Sequence, residues 1–378
     1  MEVTIISGID PYTPKPGGTR AYVINLIQEL IKAGINISLI GVMYNLNLVY
    51  TDNKYNFISI VKDKKISSYK FLFNLLLKAP FLHIPDLSII HTQRPDDMLP
   101  FVLFFRKNPK IYTAHGRNYE GELVLKKGII IGTIYEIIEA FVVKRVDRII
   151  AVDAATKEFY INKFPQLQKK IAVIPVGINT TLFRPGNRDE TRAKYHIDKN
   201  EKVILYVGRF TREKGLDLLL KSFKKVKKEI PDCKLLLVGD GIERGNLENL
   251  AKELGLEDVI FIDSLEHDKI PWIINCADVF TLCSLYEGMP TVVLEALACG
   301  VPVVSTDVGD VHKVVRDGET GYIVKTRTEE EMSDKLIKVL LSNNEKFKDN
   351  CIKTAQEYSW DLIAEKIVGV YNGVLEKE

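Results

Sequence analysis

Two carboxylates, Glu287 and Glu295, stand with seven residues between them in "YEGMPTVVLEALACG". Pro290 near the start and Gly300 at the end mark "TVVLEALA" as a helix, with the usual proline-first, glycine-last asymmetry. Glu287 then falls in the loop that leaves the strand "VFTLCS", and Glu295 about one turn into the helix. The backbone N–H groups near Gly288, Met289 and Thr291 would attract an anion at the helix start, and a carboxylate accepts hydrogen bonds from sugar hydroxyls. Spacing alone favours the plainer arrangement, a first-turn acid on the helix dipole and one surface acid. In "YVGRFTREKGLDLLL", Arg209 follows a strand end and Lys214 precedes a helix. Two fixed cations at a strand exit suit a diphosphate, and equally a solvated loop. Gly17 and Gly18 stand just before a helix, where the backbone can approach a ligand closely or simply turn. The pair is not GxGxxG and gives no support to a nicotinamide site.

These residues need strand ends to hold them. Strand candidates run "EVTIISG", "NISLIGV", "DLSIIHT", "KIYTAHG", "RIIAVD" and "IAVIPVG", then "KVILYVGRF", "CKLLLVGDG", "DVIFIDS", "DVFTLCS", "PVVSTD" and "GYIV". Helical patterns such as "GLDLLLKSFKKVKKEI" lie between them. Continuous apolar strands alternating with helices indicate parallel sheets covered on both faces. The polar, irregular stretch "NTTLFRPGNRDETRAKYHIDKNE" reads as a linker. The expected fold is α/β: two doubly wound Rossmann-like domains facing a central cleft, with ligands beyond the carboxyl ends of the strands.

Composition agrees. The 378 residues are 46% hydrophobic and 27% charged, ordinary for a folded chain with a sizeable core, and long enough for two or three domains. Residues 1–185 carry a charge of +9 and the rest −7, which suggests two domains with different partners. Glu2 sits where a secretory signal would need a basic start. No run of ~18 uncharged apolar residues predicts a spanning helix. The five cysteines include no CxxC pair and read as reduced core thiols, with no zinc site. A cytoplasmic location is expected.

The segments "PVGINTTLFRP", "GRFTREKGLDLLL", "LLLVGDGIERGNLENLA" and "ADVFTLCSLYEGMPTVVLEALACGVPVVSTDVGDVHKVVRDGETGYIV" occur in one order. In this the chain resembles the retaining family-4 glycosyltransferases of the two-Rossmann-domain (GT-B) class. The resemblance is strong from about 172 to 325 and looser before that, although "PYTPKPGGTRAYVINLIQEL" is also similar to the family's first loop and helix. Glu287 and Glu295 match its E-x7-E signature, Arg209 and Lys214 its G-R…K-G element. The resemblance implies that Arg209 and Lys214 hold the donor diphosphate, that Glu287 binds hydroxyls of the transferred sugar, and that Glu295 binds the nucleotide ribose. It also implies that Gly17 and Gly18 lie near the donor phosphate and that His115, in "TAHG", is a catalytic-site histidine. His91 is a weaker candidate. "DVGD" stands where the family often has a glycine pair. Expected domains are 1–180 on the acceptor side and 186–357 for the nucleotide sugar, with a helix, 358–378, crossing back to the first.

The implied activity moves a hexose-type sugar from a nucleotide sugar to an acceptor hydroxyl on a glycan, a lipid-linked or another acceptor, with retention. A nucleotide-sugar 2-epimerase of the same architecture and a non-catalytic nucleotide-sugar-binding protein are the alternatives. No DxD motif occupies a strand end, so no divalent metal and no cofactor are expected, the cations and helix terminus taking the metal's place. No nucleic-acid partner is expected. Residues 61–84 place Lys62, Lys64, Lys65, Lys70 and Lys78 around Phe71, Phe73, Leu75 and Phe81. Read as one helix, this is either a core-packed element with a solvated lysine edge or a contact with an anionic membrane.

Overall fold

The structure is a computed structural model that describes residues 1–12, 18–44, 54–63, 66–116, 129–343 and 345–376. The chain divides into two units, Met1–Val176 with Trp360–Glu378, and Gly177–Ser359.

In the first unit seven parallel strands lie in the order β3-β2-β1-β4-β5-β6-β7. They are β1 (Glu2–Ile6), β2 (Asn36–Met43), β3 (Asn56–Lys62), β4 (Ile89–Thr92), β5 (Lys110–Ala114), β6 (Arg148–Ala151) and β7 (Ile171–Val173). The order reverses between β1 and β4, the switch point at which a doubly wound sheet opens a crevice. Every residue of β4 and β5 is buried, as expected for strands covered on both faces. The last helix, Trp360–Leu375, packs into this unit. Trp360, Ile363, Ile367, Tyr371 and Val374 recur at helical spacing and join Tyr22, Val23, Leu26 and Ile150 in one apolar cluster.

The second unit has six parallel strands in the order β10-β9-β8-β11-β12-β13. They are β8 (Lys202–Val207), β9 (Cys233–Val238), β10 (Val259–Ile262), β11 (Val279–Leu282), β12 (Val303–Thr306) and β13 (Gly321–Val324). Its switch point lies between β8 and β11, whose apolar runs are buried almost throughout. The helix Leu216–Glu229 buries Leu216, Leu219, Leu220, Phe223 and Val226 along one stripe, and its lysines take the remaining face. All five cysteines are buried and free.

Two expectations change. Residues 179–201 are not a bare linker. They belong to the second unit and contain the helix Arg188–Lys194. Arg192 is fully buried there, donating to the Asp278 carboxylate at 2.8 Å and to the Cys276 carbonyl at 3.1 Å. Its polar sequence conceals this because the buried group is a paired cation rather than an apolar side chain. Residues 61–84 are likewise not one helix. Val61 and Lys62 end β3, and the helix runs only from Ser68 to Lys78, capped by Ser67, whose hydroxyl accepts from the Lys70 N–H. The strand arises from "NFISIV", β-branched and aromatic enough to pair with β2. Lys64 and Lys65 lie outside the described residues.

Candidate nucleotide-sugar site

The loops that follow β8 and β11 leave the second sheet at its switch point, side by side. The β8 loop is laced to the loop after β9. The Gly208 N–H donates to Val238 O (3.0 Å), Phe210 N–H to Asp240 O (2.9 Å) and Glu243 N–H to Phe210 O (3.0 Å). This contact requires Gly239, which has φ +145° and where a Cβ would stand 1.9 Å from the Gly208 oxygen. Arg209 sits on this rigid loop. Its carbonyl accepts from the Tyr206 hydroxyl at 3.1 Å, and its exposed guanidinium makes no hydrogen bond within the described residues.

Lys214 ends the short turn Arg212–Lys214, and Gly215 follows at φ +61°. The Lys214 ammonium pairs with the Glu287 carboxylate, and the same oxygen, Oε1, accepts from the Ser284 hydroxyl at 2.7 Å. The Leu285 N–H donating to Glu213 O at 2.8 Å joins the two loops through their backbones. Both charged side chains keep about a sixth of their surface exposed, so they are held in place yet remain accessible.

Pro290 caps the helix Thr291–Ala298. The backbone N–H groups of Gly288, Met289, Thr291 and Val292 donate to no acceptor within the described residues. Four unused donors on either side of a proline that has no N–H leave a positive, directional edge beside Lys214 and Glu287. The loop after β12 holds this segment from below. The Asp310 N–H donates to Gly288 O at 3.1 Å, and Gly309, at φ +52°, lies so close that a Cβ would stand 1.9 Å from that oxygen. One glycine in "DVGD" suffices for this approach.

Glu295 does not share the partners of Glu287. Its buried carboxylate accepts a hydrogen bond from His267 Nε2 at 3.1 Å, and the His267 ring packs against Phe183. That hydrogen bond raises the His267 pKa above its ordinary value, against a smaller effect of burial.

In the first unit His115 follows β5. Its Nε2–H donates to Gln93 Oε1 at 2.8 Å, and its ring stands edge-on to Tyr22. Burial pushes its pKa down to about 4, so the ring is neutral at pH 7. Gly18 opens the helix Gly18–Lys32, and a Cβ there would meet nothing within 4 Å, so packing among the described residues does not demand glycine at that position. Gly17 lies outside the described residues. His91 is fully buried and serves the fold: Nδ1 bonds the Tyr371 hydroxyl and Nε2 the Thr113 hydroxyl, each at 2.7 Å, tying β4 and β5 to the last helix.

Sequence reasoning missed Ser284 and His267. Ser284, three residues before Glu287 at a strand exit, carried a usable signal. His267, in the polar "LEHDK", carried none.

Comparisons with known proteins converge on one family. Residues 16–182 match the model described as Glycosyltransferase Family 4, and residues 187–358 match Glycosyl transferases group 1. An uncharacterized glycosyltransferase of Methanocaldococcus jannaschii is 30% identical over 239 residues, covering 61% of this chain and 60% of the relative. The chain spans about half the length of the curated relatives it matches. Among solved structures, sucrose-phosphate synthase from Thermosynechococcus elongatus superposes with a TM-score of 0.80 over all of both chains at 24% identity. The Anabaena protein HepE in complex with UDP-glucose gives 0.74 over 99% of this chain and all of the other, at 17% identity. With both sheets in doubly wound order and the two family models together spanning nearly its whole length, the chain belongs to the two-domain GT-B glycosyltransferases of family 4.

Proposed function

We propose that the protein is a retaining glycosyltransferase that takes a hexose-type sugar from a nucleotide sugar and places it on a glycan or lipid-linked acceptor hydroxyl. The observation that carries this reading is the group of four unused N–H donors at Gly288, Met289, Thr291 and Val292 beside the Lys214–Glu287 pair. When the bond from the anomeric carbon to the phosphate oxygen breaks, negative charge grows on the leaving diphosphate. Arg209, Lys214 and the N–H donors meet it with fixed positive dipoles, the preorganised electrostatic mode of catalysis. The new bond forms on the same face, and the acceptor hydroxyl's proton passes to the departing phosphate. Glu287 would hold hydroxyls of the transferred sugar and Glu295 those of the ribose. Gly18 would lie near the phosphates, and His115 would contact the reacting sugar. No metal is needed in this scheme, so activity should survive a chelator.

The acceptor is proposed to lie at an anionic membrane. The helix Ser68–Lys78 buries Phe71 and Leu75 but exposes Phe73 and Leu77, and Phe81 just beyond it is 87% exposed. Lys70, one turn before Phe73 on the same helix, pairs with Asp63. Among the described residues no helix is long and apolar enough to cross a membrane, so attachment would be peripheral.

The test is a panel of UDP, GDP and ADP sugars, with free nucleotide measured with and without acceptor. Arg209→Ala and Lys214→Ala should each lower turnover by on the order of 10² or more, with the melting temperature little changed. Nucleotide release that is the same in wild type and both variants would remove the site assignment.

A further inference from the structure

At the amino-terminal edge of the first unit's sheet lies a cavity of about 370 Å³. Arg106, Lys107, Lys110, Arg145, Arg148 and Lys170 line it, with Asp147 as the single carboxylate. Lys110 opens β5 and Arg148 opens β6, while Lys170 immediately precedes β7. His115 leaves the opposite end of β5, ~16 Å from Lys110 at the strand rise. Substrates of doubly wound sheets bind at that carboxyl end, so this cavity is separate from the catalytic machinery.

Part of the positive charge serves the fold. The Lys170 ammonium donates to Val146 O (2.9 Å) and Lys144 O (3.3 Å), just past the end of the helix Ile129–Val143. Arg145 donates to Phe141 O and lies 3.7 Å above the Phe141 ring. Lys110 is 7% exposed and donates to Asn108 O at 2.6 Å, and Lys107 pairs with the exposed Asp86. These roles do not extend to the two remaining guanidiniums. Arg106 makes no hydrogen bond or ion pair within the described residues. Arg148 uses one of its five N–H donors, on Asp147 O at 3.1 Å. The Asp147 carboxylate accepts the Lys110 backbone N–H at 2.7 Å and pairs with neither arginine. Six cations therefore converge on a concave site with one carboxylate, and the two arginines keep free the planar donors that fit phosphate oxygens. A concave wall of predominantly positive charge also concentrates anions.

We infer that this cavity is a second anion site, which binds a phosphate-bearing ligand independently of the donor site. Its volume is near the lower end of the ~300–1,000 Å³ usual for ligand pockets, which favours a phosphorylated group over a whole nucleotide sugar. Such a group can come from a lipid head group or from a soluble phosphate compound, and the test has an arm for each. Inorganic pyrophosphate is titrated calorimetrically into wild type, Arg209→Ala and the double variant Arg106→Gln/Arg148→Gln. The double variant should lose at least ~10-fold in affinity for one class of sites, as expected when two charge-assisted hydrogen-bond donors are removed. Arg209→Ala should keep that class. Flotation with vesicles of phosphatidylglycerol and phosphatidylcholine is run in parallel. Vesicle binding that falls in the double variant assigns a lipid head group, and vesicle binding that stays while pyrophosphate binding falls assigns a soluble phosphate. A double variant with an unchanged melting temperature that binds pyrophosphate and vesicles as tightly as wild type overturns the inference. If Arg209→Ala alone weakens pyrophosphate binding, the donor site stands without this second one.

Discussion

Gly309→Ala tests whether the loop carrying Glu287 must stay where it is. The new Cβ would stand 1.9 Å from Gly288 O and 2.5 Å from Glu287 O, both backbone atoms with no side-chain freedom. Reaching the 3.0 Å limit of real Cβ contacts requires a shift of about 1.1 Å. The left-handed φ of +52° adds ~1–2 kcal/mol for a residue with a Cβ. Losing the hydrogen bond from the Asp310 N–H to Gly288 O adds ~1 kcal/mol. The total, about 2–3 kcal/mol, corresponds to a melting temperature lower by roughly 5–10 °C in a unit of this size. The functional loss should be larger. A displacement near 1 Å takes Glu287 away from Lys214 and Ser284 and tilts the free N–H groups, and misplacement on that scale can cost on the order of 10² in rate. Gly300→Ala is the control. Its φ is +77°, but its closest clash is the Lys348 Cγ atom at 2.9 Å, on a flexible side chain remote from these loops. It should cost ~1–2 kcal/mol and leave transfer unchanged. Melting curves and initial rates on both variants decide the matter. If Gly309→Ala loses no more activity than Gly300→Ala, the loop does not position the reacting groups.

The His267–Glu295 hydrogen bond should be visible in an NMR titration. The histidine should titrate above 6.5 in wild type and return toward that value in Glu295→Gln, while equal values would mean that the bond is not formed in solution. Because the folded pKa is raised, the pair's stabilisation is present at low pH and fades as pH rises through the folded value. His91 has the opposite sign. Burial, with a smaller push from His115, lowers its pKa to about 3, so the unfolded chain takes up the proton first as pH falls below 6.5. Stability should then drop by up to ~1.4 kcal/mol per pH unit on this account down to the folded pKa. Denaturant unfolding at pH 7 and pH 5 should show a smaller loss in His91→Gln than in wild type, and an equal loss would exclude His91 as a source.

Much of this protein was legible in its amino acids because the signals are local. Apolar runs such as "VILYV" and "LLLV" must be buried on both faces, which specifies parallel strands, and "GMPTVVLEALACG" carries a helix start and stop. Charge concealed the elements that were misread. Arg192 looks like a linker residue until Asp278 and four backbone carbonyls gather round it. The lysine-rich start of residues 61–84 reads as the edge of a helix although Lys62 belongs to a strand. Partnerships were beyond reach altogether. Glu287 and Glu295 bound one nine-residue stretch, yet one pairs with Lys214 and the other with His267. Seven intervening residues set the separation along a loop and a helix but say nothing of which distant loop meets each carboxylate. The sequence by itself determined which residues could do chemistry and which strand ends would carry them. Only the tertiary structure decided their partners, because strand order brings the β8 and β11 loops side by side although 71 residues lie between Val207 and Val279.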